Sequence, residues 1–368
     1  MRPLTVVQLL PALEAGGVER STLEIASALR TRGHRAVVIS AGGRLLPELL
    51  ALGGEHISLD IGRKSLRTLR LIAPLREQLQ RIAPDIVHVR SRLPAWLLHF
   101  ALRGYAGSPP HRVSTVHGLN SANRYSRIMT RAERVICVSQ TVRDYVLHYY
   151  PRTDPARLQV IERGIDPAHY PRGFSPSAAW RQQFAEEFPA LQSGRLLLLP
   201  GRGTRLKGHH QAIALLAALR DAGENVRLLL VGAQQPGREA YVAELQALAA
   251  QLGVTEQLAI TPQRNDLREL YAVSALVLQL SNKPESFGRT VLEALSMGVP
   301  VLGWAHGGVG ELLHQLYPVG AVQLGDGNAL MRSALQLLDL QPPLPETIPF
   351  TLAAMQAATI ALYEHLAA

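Results

Sequence analysis

The stretch KPESFGRTVLEALSMGVPVLGW, residues 283–304, decides how the rest of the chain is read. An apolar run, SALVLQL (274–280), leads into it. A loop with one glycine follows, then the amphipathic TVLEALSMG (290–298), then a second apolar run, VPVLGW (299–304). Strand, loop, helix and strand in that order form the repeating unit of a parallel sheet. The loop opens the helix near Thr290. A helix N-terminus presents unpaired N–H groups and the positive end of the dipole, so this turn is an anion site. Gly288 lets the backbone approach a phosphate closely. Glu285 precedes the helix, and Glu293 reads into its first turn, where the dipole favours a carboxylate. Such a carboxylate can accept hydrogen bonds from vicinal hydroxyls, as on a ribose. For either glutamate alone, a solvent-exposed acid on a capped helix is the ordinary alternative.

The same rhythm extends in both directions. Upstream lie GRLLLLPGR (194–202), HHQAIALLAALRDAG (209–223), NVRLLLVG (225–232), REAYVAELQALAAQLG (238–253) and LAITPQ (258–263). The first half repeats it with LTVVQLL (4–10), a helix over 18–32, RAVVISAG (35–42), a helical stretch at 66–82, DIVHVR (85–90), a helix near Trp96, HRVSTVHG (111–118) and RVICVS (134–139). Continuous apolar strands alternating with helices predict parallel sheets covered on both faces. Pro167, Pro171 and Pro176 interrupt the pattern, which places a linker at 166–177. The expected fold class is therefore α/β, with two Rossmann-like doubly wound domains facing a cleft at the carboxyl ends of their strands. The expected division is an N-terminal domain at 1–170, a second domain at 171–350 and a C-terminal helix at 351–368.

Composition narrows the class. The chain has 368 residues, 47% hydrophobic and 18% charged, which suits two globular cores. No apolar run reaches the roughly 20 residues of a membrane span. The N-terminus reads as a first strand and not as a signal peptide. The single cysteine, Cys137, lies in an apolar run, which implies a buried thiol and a reducing, cytoplasmic compartment. Residues 1–180 carry 25 Lys+Arg against 13 Asp+Glu, and residues 181–368 carry 13 against 16. The basic first half points to an anionic partner, either a membrane surface, a phosphorylated glycan or a nucleic acid. Aromatic residues are only 5%, and no helix-turn-helix, zinc or base-stacking motif accompanies the charge, which disfavours nucleic acid.

Three further segments carry chemistry. PGRGTRLKGHH (200–210) puts Arg202 and Lys207 after a buried strand, beside Gly201, Gly203 and Gly208, and fits a diphosphate. Gly16 and Gly17 make a close-approach turn between a first strand and a helix. His117 falls just past the strand end in STVHG (114–118), where a histidine is more often structural than catalytic. No D-x-D triplet occurs, so no metal site is expected. Adjacent residues on a helix point apart, so His209 and His210 are not a metal pair. In GRKSLRTLRLIAPLREQLQRIA (62–83), Lys64, Arg67, Arg70, Arg76 and Arg81 alternate with aliphatic residues. That pattern suits either a basic amphipathic helix on an anionic membrane or an ordinary covering helix. Pro74 breaks or begins a helix there.

Taken in order, these segments resemble the retaining group 1 glycosyltransferases of family 4, which have the GT-B fold. GGVER (16–20) resembles the family's glycine turn, DIVHVRS (85–91) its D-I-V-H strand, and VHG (116–118) its histidine. RVICVSQTVRDYV (134–146) is similar to the strand and helix that follow, and VIERGID (160–166) to the V-I-P-N-G-V-D linker entry. The two glutamates with seven residues between them are the family's hallmark. The resemblance implies transfer of a sugar, with retention and without metal, from a UDP-sugar or GDP-sugar. The acceptor would be a glycan or lipid-linked molecule of envelope polysaccharide or lipopolysaccharide synthesis. It implies no cofactor beyond that donor substrate. Arg202 and Lys207 would hold the diphosphate, Glu285 and His117 the donor sugar, and Glu293 the ribose. Backbone N–H groups of Phe287 and Gly288 would meet sugar or phosphate, with Arg289 and Thr290 beside them. Gly16, Gly17 and Gly203 would line the phosphates. The C-terminal helix would cross back to the first domain. Together with the basic first half, this places the protein in the cytoplasm, peripheral on the inner face of the membrane. Two departures stand out. Glu162 and Arg163 replace the usual Pro and Asn, and Arg289 replaces an aliphatic residue. A sugar-nucleotide epimerase of the same fold, or transfer to a soluble small molecule, is the alternative.

Overall fold

The computed structural model describes residues 2–14 and 16–368. The chain divides into two compact units. One runs to Arg163 and includes Leu352–Ala368, and the other is Gly164–Thr351. The first unit contains β1 (Thr5–Leu9), α1 (Gly17–Thr31), β2 (Arg35–Ser40), α2 (Leu46–Ala51), β3 (Glu55–Ser58), α3 (Ile72–Ile82), β4 (Ile86–Val89), α4 (Arg92–Leu102), β5 (His111–Val116), β6 (Arg134–Cys137), α5 (Gln140–Tyr149) and β7 (Leu158–Val160). The second contains α6 (Ala178–Glu187), β8 (Arg195–Pro200), α7 (His209–Asp221), β9 (Val226–Val231), α8 (Glu239–Gln251), β10 (Leu258–Thr261), α9 (Leu267–Val273), β11 (Leu276–Gln279), α10 (Arg289–Met297), β12 (Val301–Trp304), α11 (Gly307–Leu316), β13 (Ala321–Val322) and α12 (Gly327–Leu340). A last helix, α13 (Leu352–Leu366), belongs to the first unit.

Both sheets are parallel, in the orders β3-β2-β1-β4-β5-β6-β7 and β10-β9-β8-β11-β12-β13. The apolar runs are buried because helices cover both faces, as in β1, where Val6, Val7 and Leu9 are fully inaccessible. Each such side chain contributes about 1.5–3 kcal/mol. The strand order reverses at β1, which pairs with β2 and β4. It reverses again at β8, which pairs with β9 and β11. Loops that leave the carboxyl end of a sheet at such a reversal splay apart and open a crevice. Gly16 and Gly17 follow β1, and Arg202 and Lys207 follow β8.

The helical stretch expected at 66–82 is two elements. Leu66–Leu71 is a 3-10 turn, and α3 begins at Ile72. Pro74 lies in the first turn of α3, where a missing N–H leaves no gap in the ladder. Leu75, Leu79 and Ile82 face the core, but Leu66 is 86% and Leu69 48% exposed. Helix α13 packs on α1, placing Met355, Ile360, Leu362 and Tyr363 in one cluster with Leu23, Ile25 and Leu29.

Candidate active site

In the second unit, the loops after β8 and β11 meet. The turn after β8 passes so close to its neighbour that a Cβ on Gly203 would lie 2.1 Å from the carbonyl oxygen of Ala233. Lys207 then donates from Nζ to Glu285 Oε1 at 2.7 Å. Ser281 Oγ donates to the same oxygen, and His306 Nε2 lies 2.7 Å from the Ser281 carbonyl. The Glu285 carbonyl accepts from the N–H of Gly308 at 2.7 Å. The loop is thus fixed by both its side chain and its backbone. Burial pushes the Glu285 carboxyl up, but Lys207, Ser281 and His306 outweigh it and hold the group below its ordinary value. Both partners keep about a quarter of their surface, 26% for Lys207 and 25% for Glu285. The carboxylate is therefore ionised, and both side chains are reachable. An ammonium has three donors, and Glu285 takes one. Arg202 is exposed in the same loop, and among the described residues no side chain pairs with it.

Helix α10 begins at Arg289, after Gly288 in the left-handed region at φ 120°. A Cβ on Gly288 would meet Val309 Cγ2 at 2.9 Å, so close packing on α11 as well as backbone angle requires the glycine. With that start, Glu293 is the fifth helical residue. The reading that put it in the first turn is corrected, because the first turn holds no acidic residue. Nor is Glu293 a solvent-exposed acid. It is only 8% exposed, and Tyr271 donates its hydroxyl to Oε2 at 2.8 Å. Burial raises its carboxyl above the ordinary value, against the opposing effects of Arg289 and Tyr271. Arg289 Nε lies 4.0 Å from Glu293 Oε1. Phe287 is buried, its ring edge-on to Phe350 at 6.1 Å. Thr290 Oγ1 accepts from Gln279 Nε2. His209 and His210 take separate partners, Tyr241 and Glu244.

In the first unit, His117 follows β5. Arg163 donates from Nη2 to His117 Nδ1 and from Nη1 to the Gly17 carbonyl at 3.1 Å. Burial first, then the charges of Arg163 and Arg90, hold His117 well below the ordinary histidine range. The ring is therefore neutral at pH 7. Because Nδ1 accepts from a guanidinium, the ring proton is on Nε2. Beneath it lies a buried polar network. Arg90 donates to Gln8 Oε1 from Nε at 2.8 Å and from Nη2 at 2.5 Å. His88 bridges the Tyr363 hydroxyl at 2.5 Å and Thr115 Oγ1 at 2.7 Å, which ties α13 to β4 and β5. A cavity of about 280 Å³ opens here, lined by His117, Arg90, Arg92, Thr115, Tyr145 and Tyr150 among others. The sequence reading missed Arg163 as a partner of His117. Its one signal was the replacement of Asn in VIERGID.

Comparison with known proteins identifies the family. The Glycosyltransferase Family 4 profile matches residues 15–169, and the profile of Glycosyl transferases group 1 matches residues 181–342. The chain is a group 1 glycosyltransferase. This glycosyltransferase is 26% identical over 307 residues to the lipopolysaccharide glucosyltransferase WaaG of Escherichia coli K12, covering 79% of each chain. A crystal structure of a glycosyltransferase from Rickettsia africae superposes with a TM-score of 0.86 at 26% identity, covering 100% of this chain and 99% of that one. HepE from Anabaena, solved in complex with UDP and glucose, shares the fold at a TM-score of 0.78 and 21% identity, covering 98% and 100%. The glycosyltransferase fold is GT-B, with two Rossmann-like parallel sheets.

Proposed function

We propose that this glycosyltransferase moves a sugar from a UDP-sugar or GDP-sugar, without metal and with retention, to a glycan or lipid-linked acceptor of envelope polysaccharide or lipopolysaccharide synthesis. The Lys207–Glu285 pair carries the reading. It combines a cation for a diphosphate with an ionised carboxylate for sugar hydroxyls, beside the opening of α10. In this reading, Arg202 and Lys207 bind the diphosphate and stabilise the charge that develops as it leaves. Gly16, Gly17, Gly203 and the Phe287–Gly288 backbone border it, and Arg289 and Thr290 flank that turn. Glu285 and the Nε2–H of His117 hold the sugar, one accepting and one donating. Arg163 keeps His117 in that form. Glu293 accepts from the ribose. The anomeric C–O bond to phosphate breaks, the acceptor oxygen bonds to the same carbon from the same face, and its proton passes to the departing phosphate oxygen. UDP-glucose is the first donor to test, given the UDP and glucose held by HepE. Slow release of UDP from UDP-sugars, or of GDP from GDP-sugars, should identify the donor by its rate. An absence of release from every donor, with and without acceptor extract, contradicts the reading.

The protein acts at the inner face of the cytoplasmic membrane as a peripheral enzyme. No helix of the described residues is long and apolar enough to cross it. Leu66 and Leu69 project outward among exposed Arg63, Lys64, Arg67 and Arg70, a pattern that suits shallow insertion into an anionic surface. Each cation near such a surface is worth about 1 kcal/mol. Co-sedimentation with anionic vesicles should fall steeply with salt and about tenfold in Leu66→Asp/Leu69→Asp. Absence of binding at low salt would assign a soluble acceptor.

A further inference from the structure

A second cavity, of about 690 Å³, opens in the first unit between the end of α4, the start of β5 and the segment after α5. Its wall carries Arg112, Arg127, Arg131, Arg152 and Arg157, together with His99. Asp154 is the one carboxylate among the described lining residues, and it lies 3.9 Å from Arg157. Arg112 reaches Glu133 at 3.4 Å. Among the described residues no carboxylate pairs with Arg127, Arg131 or Arg152. Cations gathered around one concavity repel each other unless an anion joins them. Burial first, then the charges of Arg103, Arg131 and Arg112, lower the pKa of His99, so the ring adds no further positive charge. The volume suits a small-molecule ligand.

This cavity is not the transfer site. Arg112 and His117 are five residues apart on β5 and beyond it, about 17 Å along an extended strand. The two cavities nevertheless share wall residues, Thr130 and Tyr150. Tyr150 is 9% exposed, and its hydroxyl is buried without a hydrogen-bond partner. A buried phenol normally finds one. The orphaned hydroxyl stands in the wall that the two cavities share, where a bound phosphate could satisfy it.

We propose that the arginine-lined cavity is a phosphate-binding site for a phosphorylated glycan portion of the acceptor, whose other end reaches His117. The identity of the ligand as acceptor rests on the transferase reading, whereas anion binding in the cavity does not. Free guanidinium forks match phosphate oxygens in pairs, and Tyr150 supplies a donor at the junction.

The test uses inorganic pyrophosphate as probe, titrated by calorimetry into Lys207→Ala, which weakens the diphosphate site proposed on the 201–208 loop, and into Lys207→Ala/Arg131→Ala/Arg152→Ala. Both arginines are exposed, so the triple variant should keep the unfolding midpoint of Lys207→Ala. The expected result is binding in Lys207→Ala that weakens at least tenfold in the triple variant and falls with added salt. Equal affinity in the two variants overturns the proposal, as does loss of all binding in Lys207→Ala. That second result leaves a diphosphate site on the 201–208 loop standing. Vesicles of phosphatidylcholine with phosphatidic acid are the competing arm. If they displace pyrophosphate from the cavity, the anion is a lipid headgroup and the glycan assignment falls. If they do not, the assignment holds.

Discussion

In residues 164–351 the loop after β8 meets the loop after β11 as a lysine against a glutamate. In the other unit the loop after β5 brings a histidine against an arginine. Both units are doubly wound parallel sheets, and both place polar residues at the carboxyl ends of strands. Their electrostatics differ. An opposite charge holds Glu285 in its ionised form, so it can only accept hydrogen bonds. Burial and neighbouring positive charges hold His117 in its neutral form, with Nε2–H as a donor. One repeated architecture thus carries an acceptor-only group in one unit and a donor in the other. The local fold does not decide which; the nearest charge does.

Breaking the Lys207–Glu285 pair should have the largest effect. Lys207→Ala removes the proposed charge partner of the diphosphate and should lower turnover about a hundredfold or more. It also removes the strongest influence opposing burial at Glu285, whose pKa should then rise. In the parent, that carboxylate adds stability above its ordinary range and loses it as pH falls through the lowered value. The acid limb of the rate profile should therefore move to higher pH in Lys207→Ala. A parental rate and an unmoved limb would place the diphosphate elsewhere.

A smaller effect is expected on the histidine side. Arg163→Asn, which restores the residue usual in the family, removes a charge that depresses His117. The His117 pKa should rise toward 6.5, and its tautomer should no longer be fixed. Turnover should drop about tenfold at pH 7, the scale of one well-placed hydrogen bond, and further as pH falls below 6.5. In the parent, folded His117 and His88 both resist protonation, whereas the unfolded chain binds those protons near 6.5. Stability is therefore lost as pH falls through that range. A variant whose pH profile matches the parent's would show that Arg163 does not act on His117. The smallest expected effect is none: activity in EDTA should equal activity without it. A complete loss, restored by magnesium or manganese, would sink the metal-free reading.

The strands were legible because buried parallel strands are continuous apolar runs, and LLLL, VRLLLV and RVIC could hardly be anything else. Glu285 was legible as a residue before a helix. Less could be read where the deciding contact is remote. Arg163 is 46 residues from His117 and 146 from Gly17, so only the folded chain shows why an arginine stands there. Glu293 looked like a first-turn acid, because one residue at the helix start sets its depth and Tyr271 is 22 residues away. Leu66 and Leu69 fit a helical stripe in sequence, yet a 3-10 turn points them outward. Periodicity predicts a face only when the helix type is right.

In the proposed mechanism the two glutamates divide the donor, Glu285 meeting the sugar and Glu293 the ribose. Titration calorimetry of the free nucleoside diphosphate, run beside steady-state kinetics on Glu285→Gln and Glu293→Gln, tests it directly. The ribose is unaltered in the reaction, so its contact binds ground state and transition state alike. Glu293→Gln should lose about 1–3 kcal/mol of nucleotide affinity, the scale of a charged hydrogen bond. Glu285→Gln should bind the nucleotide nearly as the parent does while turning over far more slowly. Loss of nucleotide affinity in Glu285→Gln but not in Glu293→Gln would contradict the account.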